Sequence, residues 1–164
     1  MPTALEHVLR HNAWANRALL EHCAGLGSDA LDLKAPGTYG TLYGTLQHLV
    51  GGEQFYIRLL TGEMLGPRVR KTKQHTLDDL MAVAAMTGSR AIDIAASDDP
   101  DRVIGEAESD DWTTAGVVLA QLVHHGNEHR AHGTTILGSN GQTTPKIGAW
   151  SYGIAHGISK NDGD

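Results

Sequence analysis

The chain has 164 residues, enough for one domain that buries roughly 70% of its unfolded surface without disulfides or other staples. A formal charge of -6 at pH 7 argues against a nucleic-acid or anionic-membrane partner, since either calls for a basic patch. The single cysteine, Cys23, excludes an intrachain disulfide; with no apolar run of spanning length and no basic-then-apolar leader, a cytoplasmic location is expected.

A first helix is predicted over about residues 4–24, with Leu5, Val8, Asn12, Ala15 and Leu19 as its inward stripe and Gly25 and Gly27 as stop signals. Residues 28–40, with Pro36, Gly37 and Gly40, read as a loop. The second helix spans about residues 41–60, and Gly62 follows it. Its predicted stripe is Thr41, Gly44, His48, Gly52, Phe55 and Leu59, so His48 sits mid-helix with a glycine one turn to either side. A glycine inside a helix costs about 1 kcal/mol relative to alanine, and a pair of them marks a need for space.

Residues 66–74 form a basic connection carrying Arg68, Arg70, Lys71 and Lys73, expected to be solvated, with local positive charge for an anionic ligand as the alternative. The third helix begins near Thr76, with Asp78 and Asp79 in its first turn, and ends near Ser97; Leu77, Leu80, Met81, Ala84, Ala91 and Ala95 give its inner face. An acidic, turn-rich stretch over 98–111 follows, in which Val103 and Ile104 suit a short extended piece. Thr114 is the expected N-cap of a fourth helix ending at about Gly138. The tail over 143–157 is expected to pack back through Ile147, Trp150, Tyr152 and Ile154, and 159–164 to fray. Four amphipathic segments with little strand signal predict an all-α four-helix bundle, one domain over 1–164 with a C-terminal tail packed on it.

The fourth helix carries the chemistry. Four of the ten histidines fall within residues 124–132. At 100° per residue, His125 and His129 lie about 40° apart on one face, one turn apart, on the stripe that contains Val118, Leu122 and Ile136. Imidazoles on a core-facing stripe must be hydrogen-bonded or metal-bound, and two histidines at i and i+4 offer two nitrogens to a single ion. Their alternative is a pair of core histidines satisfied by backbone carbonyls or by each other. His48, on the opposing helix, is the expected third arm. Three neutral imidazoles suit zinc, nickel, iron or copper and leave coordination positions open.

His132 shares the stripe, as a fourth ligand or as a contact to substrate or to a proton in transit. Glu128, at the edge of the same face, suits a base or an orienting group, and Gln121 is a weaker candidate of the same kind. His7, His11, His22, His75 and His156 are expected to play no part, and Cys23 has no partner that would activate it.

These residues resemble a known family. Asn12-Ala13-Trp14-Ala15-Asn16, Thr45-Leu46-Gln47-His48-Leu49 with Glu53, the run Leu122 to Arg130 with its H-x-x-x-H-R, and the ending Pro145 to Gly153 look like the motifs of the DinB/YfiT-like superfamily of metalloenzymes. This is the damage-inducible family, unrelated to the DNA polymerase of similar name. The resemblance implies an up-down-down-up bundle, usually a homodimer, and zinc or nickel held by His48, His125 and His129. It further implies an enzyme that transfers a low-molecular-weight thiol of the bacillithiol or mycothiol type to a small electrophile. Where many relatives carry glutamine, this chain has His132. The alternatives are a hydrolase in which the same ion activates water and Glu128 or His132 shuttles the proton, and a non-catalytic metal-binding stress-response protein.

Overall fold

Four threonines start the four long helices. Thr3, Thr41, Thr76 and Thr114 each adopt an extended backbone and accept a hydrogen bond from the N–H three residues on, at Glu6, Gly44, Asp79 and Val117. At Thr3 and Thr76 the acidic residue of the first turn returns the bond, completing a capping box. The computed structural model describes residues 1–105 and 111–160. It contains α1 (Ala4–Ala24), α2 (Leu42–Thr61), α3 (Leu77–Ser97), α4 (Ala115–Ser139) and a short α5 (Ala149–Ala155), with a single 3-10 turn over Ser28–Asp32. Two three-residue strands, β1 (Val103–Gly105) and β2 (Trp112–Thr114), pair antiparallel just before α4. The extended piece expected at Val103 and Ile104 is β1; residues 106–110 of the acidic stretch lie outside the described residues.

The connections fix the helix directions. After α2 ends at Gly62, in the left-handed conformation that glycine adopts without strain, the chain runs back along the helix it has left. Gln54 binds the backbone of Leu65, Pro67 and Val69, then Gln47 binds that of Arg70 and Lys73, and finally Tyr43 exchanges hydrogen bonds with His75. Thus α3 starts beside the start of α2 and runs parallel to it. Arg102 reaches the Leu60 carbonyl at the far end, where α4 begins its return. The order is up-down-down-up, and α1 packs on α3 and α4 while α2 packs on α4 and α3.

The bundle interior is apolar at both ends and polar in the middle. One cluster holds Leu19, Leu20, Leu46, Leu49, Leu80, Ile136 and Leu137; the other holds Leu9, Ile57, Leu60, Ile94, Leu119 and Leu122. Burying each such side chain is worth roughly 1.5–3 kcal/mol. Between the clusters each of the four long helices contributes polar groups: Asn12 and Asn16 from α1, Glu53 from α2, Thr87 from α3 and Arg130 from α4, all buried.

Two stripes lie differently from their sequence expectation. On α1 the buried face is Leu9, Asn12, Ala15, Asn16 and Leu19, while Leu5 and Val8 are exposed: the stripe that packs runs through Leu9, one residue round the helix from Val8. On α2 the core face is Leu42, Leu46, Leu49, Val50, Glu53 and Ile57. The stripe through Gly44, His48 and Gly52 lines a cavity instead, and Phe55 and Leu59 at its end are exposed. In the tail, Tyr152 is buried and Ile147 packs on the core, but Trp150 and Ile154 face outward.

Candidate metal centre

His48 from α2 and His125 and His129 from α4 meet where these two antiparallel helices pack. One ring nitrogen from each lies within 4.8 Å of the others. The ring centroids are 5.0 Å apart for His48 and His125, 4.7 Å for His48 and His129, and 4.4 Å for His125 and His129. Nε2 of His125 is buried and has no hydrogen-bond partner among the described residues. An orphaned buried imidazole nitrogen is rare and costly, so it calls for an occupant. The reading in which core histidines are satisfied by carbonyls or by one another fails at this atom.

The surroundings build the seat. A Cβ placed on Gly52 would fall 2.3 Å from Cε1 and 2.5 Å from Nε2 of His125, so the missing side chain is the space in which this ring lies. Tyr39 stacks on His48 at 4.1 Å and stands edge-on to His129 at 5.1 Å; Tyr56 is edge-on to His125 at 5.5 Å. His132 places its Nδ1 3.4 Å from Nδ1 of His129, which leaves Nε2 of His129 for the centre. Ligating histidines are commonly oriented through their second nitrogen in this way. Burial, followed by the mutual repulsion of the neighbouring imidazoles, pushes His125 and His129 each down to about 4. His48 is lowered as well, first by burial and then by Lys71. All three rings are therefore neutral at pH 7, as coordination requires, and the donor set of three imidazoles fits a divalent ion such as zinc or nickel.

Behind the trio, the polar layer ties the two helices to α1. Asn12 and Asn16 donate to one oxygen of Glu53 at 3.0 and 2.8 Å, and Thr87 donates to the other at 2.6 Å. Arg130 donates to the side-chain oxygens of the same two asparagines at 2.7 and 2.5 Å, and to Asn127. The asparagines thus relay between two buried charges. Burial raises the Glu53 carboxyl and lowers Arg130 to about 10, which still leaves the guanidinium charged at neutral pH. Glu53 follows Gly52, and Arg130 follows His129, so the layer holds backbone on both sides of the centre.

A cavity of about 640 Å³ opens over His48 and His125. Its floor is Gly44, Gly51 and Gly52, its walls include Tyr39, Phe55 and Tyr56, and Lys71 is at its edge. A profile of the DinB family matches residues 1–156. The chain belongs to the DinB family. No curated protein and no solved structure matches it.

Within this DinB-family bundle the sequence-derived candidates separate. His48, His125 and His129 converge, while His132 meets His129 from outside the group of three. Glu128 is exposed, and its charge reaches His48 and His129. Gln121 donates to the Tyr56 hydroxyl at 3.4 Å. His11 and His22 bind the tail carbonyls of Ile147 and Thr143, at 2.9 and 2.8 Å. His75 is buried in the α2–α3 connection rather than placed on a helix, and takes the Arg70 N–H. Sequence reasoning passed over Tyr39, whose position depends on loop path, and Tyr56 on α2; Lys71 it placed in the basic connection without bringing it to the site. It also passed over the polar layer, for which Asn12 and Asn16 at i, i+4 was the available signal. Among the described residues no helix is long and apolar enough to cross a membrane.

Proposed function

We propose that this DinB-family protein is a metal-dependent transferase that joins a low-molecular-weight thiol to a small electrophile. The observation that carries the metal half is the partnerless, buried Nε2 of His125, set against two further neutral imidazoles. His48, His125 and His129 would hold the ion, zinc or nickel by donor type. Bound there, it would favour the thiolate form of an incoming thiol. The thiol half rests on the family and on the cavity, whose glycine floor leaves room for a second reactant beside the trio.

The chain's own residues have defined tasks in this reading. His132 fixes the ring of His129 and carries the thiol proton towards solvent. Glu128 adds negative charge beside a site that must accept a cation. The tyrosines shield the centre from water, which strengthens the electrostatic interactions inside it. Sulfur forms the new bond to the electrophilic carbon, and the leaving group departs with its electron pair. The ligand helices are fixed by the polar layer, so the site rests on rigid supports.

The test is elemental analysis of protein purified without a histidine tag, followed by assay of the metal-loaded protein with a panel of thiols and 1-chloro-2,4-dinitrobenzene. A thiol-dependent rate that disappears in His125→Ala is the expected result. No rate above that of His125→Ala with any thiol overturns the transferase. Ester turnover without thiol would instead identify a hydrolase, and stoichiometric metal without turnover a binding protein.

A further inference from the structure

The protein is acidic overall, yet among the described residues that line the cavity there is no carboxylate. The one permanently charged side chain among those described residues is Lys71. The ammonium of Lys71 lies 5.7 Å from the centre of the Tyr39 ring, and that ring lies 4.1 Å from His48. The lysine is thus tied to the metal centre through a single aromatic plate, close enough for its charge to reach His48. The N-terminal turn of α2, through Thr41, Tyr43 and Gly44, lines the same space and turns the positive end of its dipole there.

The backbone that carries Lys71 is held in place. Buried Gln47 grips the carbonyls of Arg70 and Lys73 at 3.1 and 2.7 Å, on either side of it. Buried Gln54 takes the Val69 N–H at 2.9 Å, and His75 takes that of Arg70 at 3.2 Å. A connection of solvated residues has no need of two buried glutamines. Their effect is to fix a cation at the edge of an aromatic-walled cavity whose size suits a small molecule.

We propose that the cavity selects a small carboxylate-bearing ligand with an apolar or aromatic body, its carboxylate paired with Lys71 and its other end directed at the three histidines. The body lies against Tyr39, Phe55 and Tyr56, and the carboxylate takes the charge-assisted contact that a neutral analogue cannot make. Only the placement of the far end rests on the transferase reading; the anion subsite stands on Lys71.

The experiment is calorimetric titration of 3-phenylpropionate and its uncharged counterpart 3-phenylpropanamide, into chelator-treated and into metal-loaded protein. Chelator-treated protein is expected to prefer the acid by about tenfold, the effect of one modest charge-assisted contact. The preference is expected to shrink as salt is raised, to vanish in Lys71→Met and to persist in Lys71→Arg. Lys71 is exposed, and an unchanged unfolding midpoint in Lys71→Met will show that the fold is intact. Absence of acid binding, absence of a preference, or a preference that survives Lys71→Met overturns the proposal. A protein that takes up no metal yet prefers the acid through Lys71 would sink the transferase and support the subsite.

Discussion

Replacing Gly52 with alanine should separate metal binding from folding. The new Cβ would stand 2.3 Å from Cε1 and 2.5 Å from Nε2 of His125. Carbon atoms in contact settle at about 3.5–4.0 Å, so the ring must withdraw by more than about 1 Å. Metal–imidazole bonds are near 2.0–2.1 Å and tolerate little of that displacement. Loss of an outer-shell support costs about 10–100-fold in affinity. Displacement of a ligand itself should therefore cost at least about 100-fold, or roughly 2.8 kcal/mol. The helix, in contrast, gains about 1 kcal/mol of intrinsic propensity from the same change. The ring that moves out also takes with it a buried nitrogen that has no partner.

Competition against a chromophoric chelator, paired with thermal unfolding of chelator-treated protein, measures the two effects separately. The expected outcome is a loss of metal affinity with an unfolding midpoint equal to or above wild type. Gly51→Ala is the control. It makes the same gain in propensity one residue away, and its Cβ meets Val69 at an ordinary 3.4 Å, so metal affinity should stay at the wild-type level. Wild-type metal affinity in Gly52→Ala, or an equal loss in Gly51→Ala, would refute the assignment of Gly52 as the seat of His125.

Three further outcomes follow from the same geometry. Arg130→Met leaves Glu53 buried without its counter-charge and should destabilise the fold by about 3–5 kcal/mol in urea titration; the double change Glu53→Leu with Arg130→Met should cost clearly less than the two single changes added together. His132→Ala should weaken metal binding by about 10–100-fold, against near-complete loss in His125→Ala, because it removes only the partner of His129 Nδ1. With folded-state values near 4 for His125 and His129 against an unfolded value near 6.5, the unfolded chain binds more protons between these limits. Stability of the metal-free protein should therefore be full above pH 6.5 and decline as the pH falls towards 4. The urea midpoint measured against pH should show this slope, flattened in His125→Gln; a flat wild-type profile would count against buried neutral imidazoles.

Local signals in the sequence were sufficient for the helices and for the two histidines on α4. Capping threonines, the glycines after α1 and α2 and a 3.6-residue period are properties of neighbouring residues, so they mark where α1 to α4 begin and where α1 and α2 end. The same period puts His125 and His129 on one face whatever the helix packs against. Periodicity does not say which neighbour a face will meet. The α2 stripe of Gly44, His48, Gly52, Phe55 and Leu59 reads as core by spacing, yet it lines a cavity and then runs out to solvent. Leu5 and Val8 fail as core for the related reason that the face of α1 that packs is the one through Leu9, Asn12 and Asn16.

The tertiary structure decided what is assembled from distant parts of the chain. It set His48 within 4.8 Å of the α4 pair and placed Tyr39 and Lys71 beside it through connections whose course no local pattern encodes. It joined Asn12, Asn16, Glu53, Thr87 and Arg130 into one layer, although each taken alone is a polar residue in conflict with an apolar face. Helix formation is governed by interactions over a few residues, whereas a site or a buried charge network exists only once packing brings remote residues within bonding distance and removes water from between them.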